Sequence, residues 1–154
     1  MHGVRPLNRG WRWGNFPLPE AHLALIASGV VLGFVRPLPL GLSSPTASIL
    51  GAALMLLAIA AMIWATRTAG RMTLADDAQL ITDGPYQLSR HPMYVAWTFF
   101  YLGLLLLLDS GWLLVLFPFL ALWLHWESGK EERRLIESFG PAYVQYQGNV
   151  RRYL

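Results

Sequence analysis

The residues able to do chemistry in this chain are gathered in two short stretches. The first reads Gly84-Pro85-Tyr86-Gln87-Leu88-Ser89-Arg90-His91-Pro92-Met93-Tyr94. Pro92 suits the first position of a helix, where a missing N–H costs nothing, so a helix is expected to start there. Arg90 and His91 then stand immediately before a helix N-terminus, whose free N–H groups and positive dipole end favour an anion. Gly84-Pro85 supplies a turn that would fold the preceding loop over that end. Inside the helix, Tyr94, Trp97 and Tyr101 follow i, i+3, i+7 spacing and share a face, which can hold a ligand cation against ring quadrupoles. The same residues also fit an interfacial aromatic belt, with Arg90 on lipid phosphate and His91 as a cap, and both readings stay open.

The second stretch reads Trp126-Glu127-Ser128-Gly129-Lys130-Glu131-Glu132-Arg133-Arg134-Leu135-Ile136-Glu137-Ser138-Phe139-Gly140-Pro141. On a helical wheel Leu135, Ile136 and Phe139 form the apolar stripe. Glu132 falls near its centre, Glu131 at its edge, and Arg133, Arg134 and Glu137 face away. A carboxylate on an apolar face needs a partner, because burying it alone is costly. Arg90, His91 or a ligand would serve, and the alternative is an interfacial helix on which Glu132 is simply solvated. Gly140-Pro141 breaks the chain, and a second short amphipathic piece is expected over 142–147, with Tyr143 and Tyr146 on one side.

What must position these stretches is a membrane. The chain has 154 residues, of which 55% are hydrophobic and only 14% charged, with 12 basic and nine acidic residues. A soluble domain carries about 25% charged residues, so this composition excludes both disorder and a conventional water-soluble fold. The absence of cysteine removes disulfides, thiolate metal sites and cysteine nucleophiles, and no metal site is expected. The net charge of +3 is read as membrane topology, with membrane lipids as neighbours and no nucleic acid as partner.

The expected fold is an all-α integral membrane protein, a single domain over 1–154 with four transmembrane helices and a cytoplasmic C-terminal amphipathic helical segment. The spans are placed at 21–35 (or 21–42 with an irregular continuation), 46–66, 94–108 and 112–126, the last two joined by the hairpin Asp109-Ser110-Gly111. A signal peptide is the disfavoured alternative for the first span, since its charged leader is long and no small-residue cleavage site follows. With both termini cytoplasmic, Arg5, Arg9, Arg12, Arg67, Arg71, Arg90, Lys130, Arg133, Arg134, Arg151 and Arg152 all lie inside, and only Arg36 outside. The segments 80–94 and 127–154 then meet at the inner membrane surface. Gly29 and Gly33 form a GxxxG, read as close helix packing before oligomerisation; the oligomeric state stays open.

Gly84-Pro85-Tyr86 with Arg90-His91-Pro92-Met93-Tyr94, followed by Glu131-Glu132, Phe139-Gly140, Tyr143 and Tyr146, resembles the signature of the isoprenylcysteine carboxyl methyltransferase and phospholipid methyltransferase family. The likeness covers residues 80–154. Ala96 stands where the family often has glycine, and Val150-Arg151-Arg152 departs from its usual tail. The resemblance implies an integral membrane enzyme that uses S-adenosylmethionine. It implies cofactor-binding roles for Tyr86, His91, Tyr94, Glu131 and Glu132, and catalytic roles for Arg90 and Glu132 at the transfer site. The chemistry agrees: the cofactor carries a sulfonium for aromatic faces, a carboxylate for cations and a helix N-terminus, and an ammonium and ribose diol for carboxylates. No glycine-rich phosphate turn is present, so a soluble dinucleotide-fold methyltransferase is disfavoured.

The expected reaction is methyl transfer to a lipidic or prenylated acceptor at the cytoplasmic face, with O-methylation of a carboxylate slightly preferred. Phospholipid N-methylation and a non-enzymatic lipid-binding protein are the alternatives. A carboxylate needs only orientation by a cation such as Arg90. An amine must first lose a proton, for which His125 or Glu127 would serve unless they form a snorkelling interfacial pair.

Overall fold

The computed structural model describes residues 20–73 and 80–154, without the side chains of 71–73. Arg5, Arg9, Arg12 and the Arg71 side chain, on which the assignment of sides draws, lie outside them. In order come α1 (Glu20–Val35), α2 (Pro45–Thr73), a 3-10 turn (Gly84–Gln87), α3 (Pro92–Leu107), α4 (Gly111–Phe139) and α5 (Pro141–Asn149). No strand occurs among the described residues, and the one isolated bridge there joins Pro39 to Ser110.

The all-helical expectation holds, but the helices are unequal. Among the described residues two are long and apolar enough to cross a membrane, α2 over Pro45–Gly70 and α4, whereas α1 and α3 are apolar but have 16 residues each. At 1.5 Å per residue these shorter helices span about 24 Å, against a hydrocarbon core of roughly 30 Å. The cause is local. Arg36-Pro37 ends α1, so the irregular continuation to residue 42 is not helical, and Pro92 and the turn at Asp109 bound α3.

The helix that carries the fourth expected span runs well past residue 126. Nothing between Trp126 and Phe139 interrupts hydrogen bonding, and Gly129 alone is tolerated, so α4 runs through both the apolar run and the charged stretch. It stops at Gly140, whose φ of 54° and ψ of −129° suit only glycine, and whose N–H is donated to the Ile136 carbonyl at 2.8 Å. Pro141 then starts α5 along a new axis.

Small residues set the most extensive helix contact, between α2 and α3. A Cβ on Gly51 would lie 2.7 Å from the Gly103 carbonyl oxygen, so the two backbones meet directly. Ala58 and Ala65, seven and fourteen residues beyond Gly51 on the same face, are fully buried, as is Ala96 of α3. Gly29 of α1 packs in the same way on Leu113 of α4, while Gly33 faces open space, so the GxxxG serves packing within the chain through its first glycine.

The α3–α4 hairpin is held at its tip. Ser110 caps α4 by accepting from the Leu113 N–H, and Asp109 accepts through Oδ1 from the N–H groups of Leu40 (3.2 Å) and Leu42 (2.9 Å). The core beneath is Tyr101, Leu105, Leu113, Leu120 and Leu124, with the Tyr101 hydroxyl donating to the Leu113 carbonyl at 2.8 Å. Tyr101 therefore belongs to the core and not to a ligand face with Tyr94. Outward faces carry Phe34, Ile49, Leu56, Leu57, Phe119 and Leu122, all exposed, as suits an apolar solvent.

Candidate functional site

The site forms where α3 begins, under the polar last turns of α4. Pro92 occupies the first helical position as expected, and His91 is the N-cap residue. Its side chain does not cap. The imidazole reaches across to α4 instead, with Nε2 3.3 Å from Glu132 Oε1 and Nδ1 3.4 Å from Glu131 Oε2. The His91 N–H donates to Ser89 Oγ at 3.2 Å, which fixes the approach to the helix. Tyr94 stacks on the ring at 5.5 Å between centroids and an interplanar angle of 15°.

Glu132 is the hub. Only 4% of its side chain is exposed, yet it meets three cations or potential cations: Arg90 Nη2 at 3.4 Å, the His91 ring, and Arg152, whose Nε donates at 2.9 Å and Nη2 at 2.5 Å. Gln147 of α5 adds a 3.3 Å bond to Oε2. Burial alone would push the Glu132 carboxyl up; the Arg152 hydrogen bonds, the charges of Arg90 and Arg152 and the His91 contact outweigh it and hold the carboxyl below its ordinary 4.5. Its hydrogen bonds in turn raise Arg152, against burial.

Glu131 differs from its neighbour. Its side chain is 42% exposed and, together with Tyr86, Arg90, His91, Pro92, Met93 and Tyr94, it lines a narrow cleft of about 40 Å3. Five of the six expected site residues thus share one cleft, with Glu132 just behind it. Arg133, Arg134 and Glu137 are exposed, as the wheel predicts, but Ile136 is also exposed, so the apolar stripe is narrower than expected.

Residues that sequence reasoning missed close the far side. The tail after α5 folds back over the start of α3. Arg90 N–H donates to the Arg151 carbonyl at 2.9 Å, Ser89 Oγ to the Arg152 carbonyl at 3.1 Å, and the Tyr153 hydroxyl to Ser128 Oγ at 3.2 Å. From α5, the Tyr146 hydroxyl donates to the Tyr86 carbonyl at 2.6 Å. Burial pushes the phenols of Tyr143 and Tyr146 up to about 12, and burial with the charge of Glu131 does the same to Tyr86, so all three remain neutral hydrogen-bond donors. The Arg-Arg-Tyr run of the tail was the available signal, a basic end with no acidic partner nearby in sequence.

Two buried polar atoms at the site lack a partner among the described residues, Arg90 Nε and the Tyr143 hydroxyl. Both are donors, so they suit an oxyanion. His125 is exposed, and Glu127 is bonded to Lys130 at 3.3 Å, while the Lys130 ammonium sits 3.2 Å above the Trp126 ring. Glu127, Lys130 and Trp126 thus form one ion-pair and cation–ring cluster.

The sequence profile of the phospholipid methyltransferase family matches residues 46–142, from the start of α2 into α5. The chain belongs to the phospholipid methyltransferase family. The matched region contains His91, Tyr94, Glu131 and Glu132, so the paired elements at the cleft fall within this membrane methyltransferase family's shared part. The chain is also 30% identical over 143 residues to the Protein-S-isoprenylcysteine O-methyltransferase of Saccharomyces cerevisiae, covering 84% of this chain and 59% of the yeast protein. No solved structure gives a significant match.

Proposed function

We propose that this family member is an S-adenosylmethionine-dependent membrane methyltransferase acting on a lipidic or prenylated acceptor at the cytoplasmic face. The observation that carries the reading is the cleft at the α3 N-terminus, where a half-exposed carboxylate, a stacked His–Tyr pair and Arg90, whose Nε has no partner among the described residues, converge. When bound, S-adenosylmethionine supplies a methyl group already activated by a sulfonium. The residues present fit it by chemistry. Glu131 would hold the ammonium or ribose diol, His91 and Tyr94 would offer ring faces, and Arg90 Nε with the Tyr143 hydroxyl would take the carboxylate.

Glu132 supports these groups from behind, since its carboxylate fixes Arg90, His91 and Arg152 at once. The cleft is smaller than such a cofactor, so its entry requires the lining to open. The protein's remaining work is alignment and exclusion of water.

We read all four apolar helices as spans with both termini inside. Exposed apolar side chains along α1, α2 and α4 support this, as does the packing of α3 against α2, and short spans are accommodated by local thinning and snorkelling at modest cost. The similarity to the yeast isoprenylcysteine enzyme favours O-methylation of a carboxylate. The engagement of Glu127 with Lys130 occupies one of the two groups that could serve an amine acceptor as base, and His125 is the other. Labelled methyl groups supplied as S-adenosylmethionine should pass into a prenylated carboxylate in a membrane extract; label in phospholipid headgroups would favour N-methylation, and no transfer would favour a lipid-binding protein.

A further inference from the structure

His22, near the start of α1, is fully buried, and neither of its ring nitrogens has a hydrogen-bond partner among the described residues. Its ring lies 6.0 Å from that of Trp97 on α3, and the buried Trp97 Nε1 is equally without a partner there. Three partnerless polar atoms thus belong to one ring pair, beside Phe100, whose ring lies 5.6 Å from that of Trp97. Buried polar groups are hydrogen-bonded in all but a few cases, and an ionisable residue facing inward in an apolar helix marks a ligand or ion path.

Position gives the pair a role. Trp97 is one turn beyond Tyr94, on the same face of α3, and about 9 Å along the helix from His91. With α1 and α3 read as spans that start at the inner face, the pair lies on the bilayer side of the cleft. Donor arithmetic then selects the ligand. Trp97 offers one N–H and a neutral imidazole another, with one acceptor between them. An oxyanion accepts both donors, whereas an ammonium would satisfy only the single acceptor.

We propose that His22 and Trp97 form the seat for the oxyanion of a lipidic ligand, on the bilayer side of Tyr94. That the seated lipid is the methyl acceptor rests on the methyltransferase reading; the seat itself does not. A carboxylate on a prenylated group and a phosphate on a glycerolipid share this chemistry. The seat orients the polar head toward the cleft, which makes His22 and Trp97 specificity-determining rather than catalytic.

The test measures equilibrium binding to the full chain in detergent, with saturating S-adenosylhomocysteine. The probes are N-acetyl-S-farnesylcysteine, its methyl ester, dioleoyl phosphatidic acid and dioleoylglycerol. The wild type is expected to bind an acid at least tenfold more tightly than its neutral counterpart. A preference confined to the farnesyl pair identifies a carboxylate seat, and one confined to the glycerolipid pair a phosphate seat. Trp97→Phe, which keeps the ring and removes the N–H, and His22→Leu should each abolish that preference, while His22→Gln retains part of it. Affinity for S-adenosylhomocysteine should be unchanged in all three. If the wild type shows no acid preference in either pair, or the variants keep it, the pair holds at most water and the proposal is overturned. A wild type that prefers acids but fails to bind S-adenosylhomocysteine would instead sink the methyltransferase reading alone.

Discussion

Two polar groups sit one to two turns apart on the same end of α3, and they are built on opposite principles. Around His91 the buried carboxylate of Glu132 is bonded by residues from the α3 approach, α5 and the tail, so a charge that would be costly alone is neutralised several times over. Around Trp97 the buried His22 has no bond among the described residues. The first group costs the fold dearly if one member is lost. The second costs the fold while it is intact, a cost that a bound ligand would offset.

The sharpest way to break this contrast is Glu132→Gln, which leaves Arg90 and Arg152 facing a neutral amide. A loss of about 3 to 5 kcal/mol is expected in equilibrium unfolding in mixed micelles. Arg152→Met removes one partner from a carboxylate that keeps Arg90, His91 and Gln147, and should cost about 1.5 to 3 kcal/mol in the same measurement. Acid probes the same contact without mutation. Because the folded Glu132 value is lowered, its contribution is fully present above about 4.5 and is lost as pH falls from there through the lowered value. Thermal melts should therefore weaken below pH 4.5 in the wild type, and less so in Glu132→Gln. His22→Leu should be neutral or stabilising, since an unpaired buried polar group is replaced by an apolar one of similar size. A loss above about 2 kcal/mol there would show that His22 has a structural partner, and the contrast would fail. Arg133→Gln, on the exposed side of α4, should stay within about 0.5 kcal/mol.

What the sequence made legible follows from periodicity and spacing. Pro92 announced the start of α3, and the helical wheel put Glu132 inward and Arg133, Arg134 and Glu137 outward. The hairpin at Asp109-Ser110-Gly111 required the two polar stretches to meet, which named Arg90 and His91 as partners for Glu132. Other features were beyond that reach. Ser89 and Arg152 are 63 residues apart and meet only because the tail folds back after Gly140, a turn no period encodes. A wheel gives the direction in which Tyr101 points but not what stands opposite at that depth, and there the core hairpin takes its hydroxyl. The charged end of α4 reads as a separate segment because its composition changes, although the backbone hydrogen bonding does not. His22 gave no signal beyond its presence in an apolar run.

The central claim, that the cleft at the start of α3 binds S-adenosylmethionine, is tested most directly by isothermal titration of the purified protein with S-adenosylhomocysteine. Saturable binding is expected in the wild type and in Arg133→Gln, with affinity at least tenfold weaker, about 1.4 kcal/mol, in His91→Ala and in Glu131→Gln, whose exposed carboxylate can change without unfolding the cluster. No saturable binding by the wild type, or equal loss in all three variants, would contradict the account.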